Sequence, residues 1–288
     1  MADYSLQGPW RRPRNTSAHE KGGIHDDATA QALGFSGGTV AGSIHMEQFP
    51  PFLIEHVGPR WLEDGTLSLY FRAATTDGDP VRCAATAPRL TSQGQHMHVA
   101  MFDEAGTLVM DGTATTGADA DSMLRQKLKE VRPATDIRVL ADVKVGEYCE
   151  PYTVRIPPEG IDRQLRVITE PMAMFGQPGQ SSGRVPPLST LVHAMRDVER
   201  FIALTRGSFV GLFGAIEIAY HVGQPVTGTD YLLKGRALAI GDSPKTEIFW
   251  MESVLMDART LEPRVTMIKM DRVMKASSPL WTEQGATT

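Results

Sequence analysis

The chain has 288 residues, 41% of them hydrophobic and 22% charged, a composition that excludes a disordered or fibrous protein and fits a soluble globular one. Its formal net charge is -5, from 29 basic and 34 acidic residues interspersed along the chain, so there is no broad positive field to hold a nucleic-acid backbone. The length suits one large domain or two of ordinary size, and the hydrophobic pattern has to decide between them.

The first 23 residues carry arginines but lack the apolar run and small-residue cleavage site of a signal peptide. No apolar stretch reaches the length needed to span a bilayer. Cys83 and Cys149 are the only cysteines, each inside a strand-like run, which argues against a disulfide framework and against a thiolate metal cluster. The expectation is a cytoplasmic protein without membrane or nucleic-acid partners.

In chain order, ATAQALG (28–34) reads as a short helix ending at Gly34, and AGSIHMEQFPPFLIEHV (41–57) as a longer one. Pro50 and Pro51 sit in the middle of the second, so a bend or two shorter pieces is expected. Four strand-like runs follow, 66–74, 81–90, 96–102 and 107–115, with TDGDP and DEAGT as turns between them, which suggests an antiparallel sheet. Residues 117–136 are polar and contain a proline, and read as a linker.

Beyond them the order recurs: a strand-rich entry (142–156), an irregular stretch containing Ser181-Ser182-Gly183, a helix (187–206), then strands. In that helix Leu188, Leu191, Val192, Met195, Val198, Phe201, Ile202 and Leu204 form a wide apolar stripe that must be covered. The segment from Thr75 (TTDGDPVRCAATAPRL) can be laid beside that from Gly228 (GTDYLLKGRALAIGD) strand for strand and turn for turn. A duplicated unit, each copy a sheet curled around a helix, accounts for the pattern.

GGIHDDATAQALGFSGGTVAGSIHM (22–46) resembles the MaoC-like, or hydratase-2, branch of the hot-dog superfamily. That branch has an Asp five residues before a His, then an acidic residue, Gly-Phe, a glycine turn and a His-Gly pair opening the central helix. Here His25 matches the histidine, Asp26 or Asp27 the acid, Gly34-Phe35 the Gly-Phe and Ala41-Gly42 the His-Gly pair, and FRAATTDGDPV (71–81) resembles a later strand and turn. Glu20 stands where the branch has its catalytic Asp, Gly22 and Gly23 replace an Asn and a Pro, and Ala41 replaces a His.

The resemblance implies an α+β fold of two tandem hot-dog domains, each an antiparallel sheet wrapped around a central helix. Residues 1–130 would carry the dyad, and residues 131–288 would lack one and shape a pocket. It also implies a hydratase or dehydratase acting on an acyl thioester, with coenzyme A or an acyl carrier as part of the substrate and no separate cofactor.

On this reading His25 is the general acid or base, its pKa lying near neutrality. Glu20 orients the ring or helps activate water. Gly42 and the adjacent Ser43 hold the thioester oxygen at a helix start, where backbone N–H groups are unpaired. Plainer roles compete: a loop hydrogen bond for His25, a solvated surface for Glu20, close packing for Gly42, and helix capping for Asp26 and Asp27. Arg72, Arg82, Lys234, Arg236 and Lys245 are candidates for a coenzyme phosphate. No metal site is expected, since the histidines form no compact ligand set. Two other functions stay open, a lyase, isomerase or cyclase of a specialised metabolite and a non-catalytic ligand-binding protein, as does the choice between monomer and homodimer.

Overall fold

The computed structural model describes residues 3–117, 122–196 and 204–282. The first half runs β1 (Leu6–Gln7), α1 (Asp27–Ala32), α2 (Gly42–Met46), α3 (Phe49–Val57), α4 (Trp61–Asp64), β2 (Thr66–Phe71), β3 (Val81–Ala85), β4 (Arg89–Leu90), β5 (Gln95–Asp103), β6 (Leu108–Thr115) and α5 (Met123–Lys129). The second runs β7 (Tyr152–Val154), α6 (Pro158–Leu165), α7 (Leu188–Met195), β8 (Gly211–Tyr220), β9 (Tyr231–Asp242), β10 (Thr246–Asp257) and β11 (Pro263–Met274).

All the strands belong to one sheet, in the order β1-β3-β5-β6-β2-β8-β11-β10-β9-β7, with β4 beside β5. Read outward from the centre, each half has the same connectivity, so the internal repeat is a repeat of topology. Two hot-dog units are joined where β2 pairs antiparallel with β8, Leu67 opposite Ile218 and Leu69 opposite Ile216.

The helix expected over 41–57 is two helices. Pro50 and Pro51 fall in the first turn of α3, where a missing N–H costs nothing because it has no intrahelical acceptor. Phe49 and Leu53 of α3 join Leu191 and Val192 of α7, with Leu67, Ile216 and Met267 of the sheet, in one core spanning both halves. Each such fully buried side chain contributes roughly 1.5–3 kcal/mol. Helix α7 ends at Met195; Val198, Phe201 and Ile202 of the expected stripe lie outside the described residues.

Two expectations are corrected. Residues 122–130 are not linker: Ser122 caps α5, and Leu124, fully buried, packs with Ala215, Trp250, Ile268 and Met270 on the opposite face of the sheet. Leu128 and Val131, one and two turns further on, pack against the same cluster and complete the docking face. Arg125 Nε pairs with Glu217 of β8 at 2.9 Å, and Leu124 N donates to Ser68 Oγ of β2 at 3.0 Å, so α5 clasps the join. The strand-rich entry over 142–156 shrinks to β7 and bridges from Val145 and Tyr148 to β9, because the left-handed Gly146 (φ 94°) turns the backbone out of register.

Candidate active site in the cleft between the halves

His25 lies in the loop before α1, and backbone contacts fix that loop. Thr39 N donates to Ile24 O at 2.9 Å, and Asn15 Nδ2 to His25 O at 2.8 Å. Gly38 passes so close that a Cβ there would lie 2.3 Å from His25 O, so only glycine fits. The His25 ring meets the Thr39 carbonyl through Nδ1 at 2.7 Å. A carbonyl only accepts, so Nδ1 carries a proton, and in the neutral ring the lone pair is on Nε2.

The two acids after His25 are structural. Asp26 caps α1 through Thr29 and takes Lys21 Nζ at 2.7 Å, bonds that draw its carboxyl down to about 2. Asp27 Oδ1 accepts from Gly38 N at 2.7 Å and holds the glycine turn against the loop.

His25 borders a cleft of about 1600 Å³ to which both halves contribute. Glu20, Gly42, Ser43 and His45 line it from the first half, His193, Arg196 and Lys269 from the second. Glu20, His25, Gly42 and Ser43 therefore all border one cavity, but Glu20 and His25 are not a hydrogen-bonded dyad. Glu20 is exposed, Thr39 rather than Glu20 orients the ring, and the carboxylate acts on His193 and Arg196, favouring their charged forms.

Gly42 opens α2, and a Cβ there would lie 2.3 Å from Cε2 of Phe71, which also lines the cleft. Close packing is thus one reason for glycine at this position. Ser43 is 1% exposed, and its Oγ has no partner among the described residues. A buried hydroxyl without a partner invites one from a ligand.

Sequence reasoning passed over four groups here. His45 shares a hydrogen bond from Nε2 with Thr75 Oγ1 at 2.8 Å, and burial lowers its pKa to about 4, so it is neutral near pH 7. His193, in the last turn of α7, bonds the Ser189 carbonyl through Nδ1 at 3.3 Å, and burial lowers its pKa too. Arg196 and Lys269 bring cations to the same cavity. The available signal was helical spacing for His193 and strand alternation for Lys269. Of the residues considered for a coenzyme phosphate, Arg72 pairs with Asp111 and Arg236 with Glu252, while Arg72 and Lys245 border the cleft. Among the described residues no group of three or more His, Cys, Asp or Glu is placed to hold a metal ion, and no helix is long and apolar enough to cross a membrane.

No family model matches the chain, and no curated protein matches it in sequence. Solved structures do match in fold. A MaoC domain protein of the dehydratase kind from Chloroflexus aurantiacus J-10-fl superposes with a TM-score of 0.61 at 11% identity, covering 95% of each chain. A conserved Mycobacterium tuberculosis protein with a double hot-dog fold gives 0.56 at 11%, over 94% of this chain and 96% of that one. A MaoC-like dehydratase gives 0.51 at 13%, over 93% and 97%. The fold of this chain is the double hot dog.

Proposed function

We propose that the chain adds water to, or removes it from, an acyl thioester in the cleft, with His25 as general acid and base. The observation that carries this reading is the His25 ring at a cleft shared by both halves, its Nδ1–H tied to Thr39 so that Nε2 is the free base. In hydration Nε2 takes a proton as the water oxygen bonds to the β-carbon. The electron pair moves onto the thioester oxygen, and a proton then returns to the α-carbon. The N–H groups of Gly42 and Ser43 lie in the first turn of α2, where helical N–H groups have no intrahelical acceptor, and donate to that oxygen as charge develops. Glu20 polarises water at the rim rather than holding the ring. The coenzyme or carrier enters as part of the substrate. The names of two solved structures sharing the fold, both dehydratases, lend support to this class of reaction.

The test is His25→Ala in a variant shown by circular dichroism to be folded, assayed with enoyl thioesters. A loss of about 10²–10⁴ in turnover is expected, with a smaller loss for Glu20→Gln, and undiminished turnover in His25→Ala refutes the proposal. The separation of Glu20 from His25 favours one second reading, a lyase or isomerase that uses the cleft without a thioester. A panel of enoyl thioesters left untouched by the folded protein selects it.

A further inference from the structure

The far wall of the cleft carries a charged cluster that acid–base chemistry at His25 does not use. Strand β11 turns alternate residues, Met267, Lys269 and Asp271 among them, toward the helices. The ladder neighbours of Lys269 are Met251 and Ile216, and those of Asp271 are Phe249 and Phe213. Lys269 is nevertheless only 3% exposed. Apolar neighbours cannot hydrate an ammonium group, so its charge has to be met by other groups.

Asp271 meets part of it, accepting from Lys269 Nζ at 2.8 Å. Arg196, just past α7, then adds a second cation. Its guanidinium carbon and Lys269 Nζ each lie 5.1 Å from the centroid of the Phe213 ring, so two positive groups flank one side chain. Arg196 Nε is buried without a hydrogen-bond partner among the described residues. Elsewhere in the chain, the buried Arg184 has Asp162 at 2.7 Å and the half-buried Arg125 has Glu217 at 2.9 Å. Among the described residues Asp271 is the one inward carboxylate against Arg196 and Lys269, while Glu20 is an exposed group at the rim. Among the described residues the wall therefore holds one cationic group more than it has carboxylates, and it still offers N–H donors, beside Asp271 Oδ1, a buried acceptor that has no partner either.

We propose that this wall is an anion subsite, and that the acyl group taken by the cleft ends in a carboxylate held between Arg196 and Lys269. The assignment of the other end to a thioester at His25 rests on the function proposed above. A single carboxylate matches the single excess charge and accepts from Arg196 Nε and from the N–H groups that Lys269 does not give to Asp271. The diphosphate of a coenzyme carries more charge and is strongly hydrated, and suits the open mouth of the cleft better than a wall where Lys269 is almost fully covered.

The experiment measures binding and turnover of medium-chain 2-enoyl coenzyme A thioesters ended by a methyl group and of the same chains ended by a carboxylate. The full chain, Arg196→Met, and the charge-neutral pair Lys269→Met with Asp271→Asn are compared, each checked for folding by circular dichroism. The expected result is a preference of roughly tenfold or more for the carboxylate-ended chain, falling toward equality in both variants. A preference for the methyl-ended chain overturns the subsite. So does equal weakening of both thioesters in Arg196→Met, which would assign the cations to the coenzyme phosphates. Carboxylate-selective binding without turnover supports the subsite while removing the hydratase reading. Turnover without that selectivity does the reverse.

Discussion

Replacing Glu47 by Gln isolates the electrostatics of the contact between the central helices. Glu47 follows α2 and is 4% exposed. It accepts from Ser189 N at 3.2 Å, from Ser189 Oγ, and from Gln164 Nε2 at 2.6 Å. None of these partners is a cation, and burial lifts its carboxyl from 4.5 to about 7. The folded state therefore binds the proton more tightly than the unfolded chain, and this group's stabilising contribution, fully present below pH 4.5, is lost as pH rises through about 7. The span corresponds to roughly 3 kcal/mol. A glutamine keeps the acceptor for Ser189, and its amide group can face the oxygen of a flipped Gln164. Urea titrations of both proteins, compared at matched pH, should show little difference near pH 4.5 and a gain for Glu47→Gln of about 3 kcal/mol near pH 8. A difference that does not grow with pH, or a variant less stable at pH 8, refutes the reasoning.

Three more outcomes follow from the same geometry. His45, lowered from 6.5 to about 4, stays neutral when folded while the unfolded chain takes up a proton, so its stabilising contribution, present above pH 6.5, is lost as pH falls through about 4. His45→Gln should remove that acid-side loss of roughly 3 kcal/mol, and a pH-independent difference from the wild type in urea titrations counts against it. Gly42→Ala drives a methyl group into the Phe71 ring and should cost about 1–3 kcal/mol; an unchanged melting temperature contradicts the contact. Leu124→Ala should cost about 2–5 kcal/mol if α5 is part of the fold, whereas a true linker would tolerate the change within about 0.5 kcal/mol in the same titration.

Local signals in the sequence located the prolines that open α3, the strand-forming runs that hold β2 to β6 and the turn-by-turn repeat. Each depends on residues near one another in the chain, where period and turn chemistry act directly. Helix α5 escaped although Leu124, Leu128 and Val131 fall at helical spacing, because charged and polar residues surround them and their partners Trp250 and Met270 lie more than a hundred residues away. The spacing of Glu20 and His25 was read as a dyad. However, Gly22 takes a left-handed turn (φ 81°) between them, and Glu20 ends near His193 and Arg196 instead. Arg196 and Lys269 belong to separate elements, and only the tertiary fold brings them to the same ring.

The seam between β2 and β8 pairs residues about 150 positions apart. During synthesis β1–β6 are complete long before β8 exists, and through that interval β2 presents bare N–H and C=O groups along one edge. Helix α5 follows β6 directly and settles on Ser68 of β2, covering a face of that strand but not its edge. Two nascent or refolding chains can therefore meet edge to edge at β2, each standing in for the other's missing β8. Refolding at high protein concentration should trap exchanged dimers through this strand, while slow dilution lets the late, long-range pairing close within one molecule.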